Sequence, residues 1–121
     1  MDKIVIALLI ALLTPRYSVV WGGEHVEMQV TDRGASIEFD CAHGTLDAAL
    51  APDANGRFTI AGTFTPERSR SDNPPLLKAR YAGTIKEEAM SLTVTLLVED
   101  APAPMTYELM RGRAGVLRKC R

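Results

Sequence analysis

The sequence predicts an all-β domain, an antiparallel meander of seven or eight strands closed into a small or flattened barrel, with a two-sheet β-sandwich as the alternative. Three observations carry that expectation. From Glu24 onward apolar residues recur at every second position, the period of a strand with one buried face. Clusters of Gly, Pro, Asn and Asp punctuate these runs at short intervals. Two cysteines, Cys41 and Cys120, stand far apart in the chain, and a bond between them would oblige a sheet to fold back on itself.

The elements follow in order. The run His25 to Thr31 puts Val26, Met28 and Val30 on one face and ends at the turn Asp32-Arg33-Gly34. Ser36 to Cys41 turns Ile37, Phe39 and Cys41 one way and Glu38 and Asp40 the other. After His43-Gly44, read as a turn, a third run carries Leu46, Ala48 and Leu50. It stops at Pro52-Asp53-Ala54-Asn55-Gly56, whose Asn-Gly pair tolerates positive φ. Arg57 to Thr65 alternates Phe58, Ile60, Gly62 and Phe64 against threonine and alanine. Residues 66–77 show no period and are rich in loop formers, so they form the longest connection. Lys78 to Lys86 and Met90 to Val98 give two further strands, and Pro102 and Pro104 end the second. Tyr107 and Leu109 mark another, and Val116 to Cys120 can form a short last strand. Gly62 and Gly83 sit on inward faces, where a glycine marks a bend or a close backbone approach.

The N-terminus reads differently. Met1, Asp2 and Lys3 precede an unbroken apolar run from Ile4 to Leu13, of signal-peptide length and too short for the roughly 20 residues that span a bilayer. The best small-residue cleavage site follows Gly22, so residues 1–22 are expected to be a signal peptide and residues 23–121 one barrel-like domain. In an oxidising compartment Cys41 and Cys120 read as one disulfide; two reduced thiols buried in a cytosolic core are the alternative. A disulfide holds its Cα atoms about 5.5 Å apart, close to the strand spacing of about 4.8 Å, which the second and last strands of an open meander cannot satisfy.

Charge and motifs exclude more than they assign. The chain has 14 basic and 15 acidic residues, a net charge of −1, and no overall field to steer nucleic acid or an anionic membrane. Single-strand binders stack bases on exposed aromatics, and Phe39, Phe58 and Phe64 all fall on inward phases. His43 lies near Asp40 and Ser36 without an activating motif around them, and His25 stands at no ligand spacing from it, so no metal, cofactor or catalytic residue is assigned. The C-terminal segment holds Arg111, Arg113, Arg118, Lys119 and Arg121 with no acid among them. The first four of these are the candidate binding residues, for a phosphate, a carboxylate or an acidic partner.

Phe39-Asp40-Cys41-Ala42-His43-Gly44, Tyr81-Ala82-Gly83-Thr84-Ile85, Met90-Ser91-Leu92-Thr93-Val94 and the closing Lys119-Cys120 resemble small uncharacterised exported bacterial proteins, β-rich chains with a cysteine near each end. The resemblance spans roughly residues 35–121. It implies a β-rich fold in a secreted or periplasmic setting and transfers no site residue.

The expected function is a non-enzymatic binding module for a small ligand or an envelope protein partner, monomeric and without a membrane span in its mature form. A small hydrolase built on His43 and nearby acids is one alternative, and a structural or inhibitor protein another. Small barrels of about eight strands are filled by side chains or hold one small molecule, and the inward residues here are mostly medium to large.

Overall fold

The computed structural model describes residues 18–67 and 74–120; the apolar run Ile4–Leu13, the centre of the 66–77 connection and Arg121 lie outside them. Eight antiparallel strands form a closed meander barrel in sequence order: β1 Val19–Gly23, β2 Val26–Val30, β3 Ala35–Phe39, β4 Ala42–Leu46, β5 Arg57–Pro66, β6 Leu77–Lys86, β7 Ala89–Leu96 and β8 Met105–Arg111. Every strand pairs with its sequence neighbour, and β8 closes on β1 through Trp21 opposite Arg111 and Gly22 opposite Met110. Closure leaves no long open edge on which another chain could add.

The two-residue period becomes inside and outside. Tyr81, Met28, Ile37, Met90, Leu92 and Leu109 are fully buried and fill the interior together with Val26 and Val94. Outward positions such as Ser36, Glu38, Thr59, Arg80 and Glu108 are exposed. A transmembrane barrel has the reverse arrangement, an apolar outer band around a polar interior. Among the described residues no helix is long and apolar enough to cross a membrane.

Three elements differ from the sequence expectation. The first strand starts at Val19, upstream of the expected domain boundary at residue 23, and Trp21 is a core residue at 4% exposure. Residues 42–46 form β4 where His43-Gly44 reads as a turn, and of the expected run Leu46, Ala48 and Leu50 only Leu46 is buried. The reason lies across the barrel. A Cβ on Gly44 or Gly62 would collide with backbone oxygens of the neighbouring strand and with the Tyr81 side chain, so both glycines make room for that ring. Its hydroxyl then donates to the Thr63 carbonyl at 2.6 Å. Finally, Val116 to Cys120 is not a strand of the sheet. Closure of β1 on β8 leaves it no edge, and its one β-type pairing among the described residues is a parallel bridge from Val116 to Glu24.

The barrel has two unlike ends. One carries the β1–β2 and β3–β4 turns, the close of β5 and β7 and the start of β6 and β8; this is called the mouth. The far end carries the three remaining hairpin turns. There Asp53 accepts hydrogen bonds from the Asn55 and Arg57 amides, which hold its carboxyl below the usual range, and Gly56 takes φ 78° as the Asn-Gly signal requires.

Candidate functional site

The tail after β8 is a strap laid along the outside of the barrel. Gly112, at φ 79°, turns the chain at the far end and donates to the Val20 carbonyl at 2.7 Å. The strap then runs parallel to β1 toward the mouth. It passes directly over Gly22, where a Cβ would meet the Arg113 carbonyl oxygen. Gly115 donates to the Glu27 carboxylate at 2.9 Å, Val116 donates to the Gly23 carbonyl at 3.0 Å, and His25 donates back to the Val116 carbonyl at 2.9 Å.

At the mouth the strap meets the β3–β4 turn and is fastened to it. The Arg118 amide donates to the Asp40 carboxylate and the Cys120 amide to the Asp40 carbonyl, each at 2.9 Å. Cys41 and Cys120 form a disulfide with Cα atoms 5.0 Å apart. The Lys119 ammonium pairs with Glu38 at 2.9 Å and Glu67 at 2.7 Å and donates to the Phe39 carbonyl at 2.8 Å. Partial burial acts against its charge, but the two carboxylates more than offset this and hold the ammonium above its usual value. Glu67 is likewise disfavoured by burial yet held below the usual range by Lys119 and by the His43 ring, whose Nδ1 lies 2.6 Å from it.

The four candidate basic residues therefore do not share one patch. Arg111 ends β8 at the far end, and Arg113 borders a groove of about 220 Å³ with Glu24 and Glu108. Arg118 and Lys119 lie at the mouth, where Lys119 is already paired. His43 is an outward residue of β4 bonded to Glu67, a buttress to the strap's anchor. Among the described residues no cluster of three metal-binding side chains occurs.

What the mouth does assemble is an open cavity of about 380 Å³. Phe39, Phe64, Ala42, Met105 and Tyr107 form its apolar walls, with the Asp40-Cys41 turn and His25 on the rim. The Phe39 ring sits 5.4 Å from Phe64 and 5.1 Å from Tyr107, both tilted by about 45°. His25 occupies the tight β1–β2 turn at φ 69°, a conformation uncommon outside glycine, and its Nδ1 lies 2.6 Å from Asp40. The Asp40 carboxyl is held below the usual range by the Arg118 amide and by that histidine. Burial, with Asp40 nearby, pushes the Tyr107 phenol up, so it stays protonated.

The inward phase of Phe39, Phe64 and Tyr107 is visible in the sequence, but periodicity does not tell which inward residues border an opening. The signal that bears on it is position at a strand terminus, beside the turn carrying Cys41. His25 follows the Gly22-Gly23 pair, and that pair is the mark of a place where another segment lies close.

Compared with protein families, with curated proteins and with solved structures, the chain matches none.

Proposed function

We propose that this chain is an exported, non-enzymatic binding module that takes a small ligand at the mouth of its barrel. The observation that carries the reading is the mouth cavity, apolar in its walls and polar on one rim, and within the size range of small-molecule sites. The interior is filled by side chains, which supports a site at an opening of the barrel rather than inside it. Export is supported by the disulfide, which persists in oxidising compartments. His43, an outward residue of β4, is bonded to Glu67 of the strap's anchor, which favours a structural over a hydrolytic role for it.

Native mass spectrometry on protein purified from its own source without refolding tests this reading. A processed, oxidised chain is expected to carry a small molecule that is lost on Met105→Trp, a substitution that fills the cavity from its half-buried wall. An empty chain under gentle ionisation would overturn it. A protein partner is the second reading, favoured by exposed Leu76, Leu97 and Val98 on the strand ends around the same mouth. In that case a second polypeptide co-purifies in place of the small molecule.

A further inference from the structure

On the reading that the mouth takes a small ligand, the polar groups of its rim and walls decide the class. Asp40 is ionised and therefore only accepts hydrogen bonds, so the 2.6 Å contact puts the proton of a neutral His25 ring on Nδ1. The lone pair then sits on Nε2, on the ring that borders the cavity. Tyr107 supplies the opposite character. Its hydroxyl is given to the thioether sulfur of Met105 at 3.8 Å, a weak acceptor that a better one displaces easily. The mouth thus combines a strong acceptor on its rim with an under-used donor on the Tyr107 wall, beside Phe39, Phe64 and Ala42.

We infer that the mouth binds a small neutral molecule with an apolar body and a hydroxyl head, the hydroxyl donating to His25 Nε2 and accepting from Tyr107. A hydroxyl is the simplest group that is donor and acceptor at once. A carboxylate brings no hydrogen for Nε2 and places its charge beside Asp40. An ether can answer Tyr107 but leaves the imidazole nitrogen unsatisfied.

The test compares 4-propylphenol, its methyl ether 4-propylanisole and 4-propylbenzoate by titration calorimetry at about pH 8, above the ordinary imidazole range. The wild-type chain is set against His25→Gly, which suits the positive φ and deletes the ring, and Tyr107→Phe, which keeps the aromatic packing. The phenol is expected to bind about tenfold tighter than the ether and the benzoate, with the preference falling to within about twofold in His25→Gly and reduced in Tyr107→Phe. Equal binding of phenol and ether, or tightest binding of the benzoate, overturns the ligand class and leaves the mouth cavity as a binding site. A preference unchanged in both variants overturns the roles of His25 and Tyr107. Failure of all three probes to bind the wild-type chain removes the cavity reading itself.

Discussion

Breaking the Cys41–Cys120 bond should cost this barrel a large share of its stability without changing its native structure. The two cysteines are 79 positions apart, so the bond closes a loop of about 80 residues. The chain-entropy relation values such a closure at about 15 cal/mol/K, or about 4.5 kcal/mol at 25 °C, through the unfolded chain alone. With an unfolding entropy of about 2.1 cal/mol/K per residue, a domain of about 100 residues then loses about 20 °C in Tm. The native strap is expected to stay in place, because the amides of Gly112, Val116, Arg118 and Cys120 keep their hydrogen bonds to β1 and to Asp40. The assay is thermal and urea unfolding of the oxidised protein and of a Cys41→Ser, Cys120→Ser double variant, followed by the fluorescence of Trp21, which is buried and the chain's one tryptophan. A Tm change below about 5 °C would refute the reasoning, since the unfolded chain would then gain little freedom from losing the bond.

Tyr81→Phe leaves the core volume intact but strips the Thr63 carbonyl of its 2.6 Å donor, and should lower stability by about 1 to 2 kcal/mol with an unchanged far-ultraviolet spectrum; no change in urea midpoint would show that the bond is replaced. Acid should loosen the strap before the barrel. Asp40 and Glu67 both have carboxyls held below their usual values, so their contribution is present above the unfolded range near pH 4 and lost as pH falls through the lower folded values. Exchange at the Arg118 amide should accelerate below about pH 4 in the wild type and already be fast at neutral pH in Asp40→Ala, which lacks the accepting oxygen, and matching profiles in the two proteins would contradict this assignment. Processing is constrained as well. A chain cut after Gly22 lacks Val19, Val20, Trp21 and Gly22, nearly all of β1, so if the chain is processed, N-terminal sequencing should find a start at or before Val19. A mature chain that begins at Gly23 and melts cooperatively at the full-length temperature would show β1 to be dispensable.

The strands that alternation makes visible are those with large apolar residues at most inward positions, such as Arg57–Pro66 and Ala89–Leu96, and these match their expected runs closely. β4 is hidden because its inward residues are Ala42, Gly44 and Leu46, and only a partner as large as Tyr81 explains why small residues stand there. β1 is hidden for another reason. Val19, Val20 and Trp21 continue an N-terminal stretch whose composition reads as an export signal, and hydropathy cannot separate the end of a leader from the start of a strand. The basic segment was legible as composition but not as placement. Whether Lys119 is free or neutralised depends on Glu38 and Glu67, which the fold brings to it from distant parts of the chain. The mouth cavity combines both difficulties, since its walls come from β3, β4, β5 and β8 and its polar rim from two turns.

The bond between Cys41 and Cys120 also divides the molecule mechanically. Residues 41–120 lie inside a covalent ring, whereas β1, β2 and β3 lie outside it and are held by hydrogen bonds, packing and the Lys119–Glu38 ion pair. Tension applied to the two ends of the oxidised chain can therefore unravel residues 18–40, releasing about 80 Å of extended polypeptide at about 3.4 Å per residue, and then reaches a stop at the disulfide. Five strands, with the Ala42, Phe64, Met105 and Tyr107 walls of the mouth, stay out of reach of the load, whereas Phe39 leaves with β3. The same asymmetry applies to any unfoldase that grips this protein by its N-terminus, which would stall after three strands unless a reductant first opened the ring.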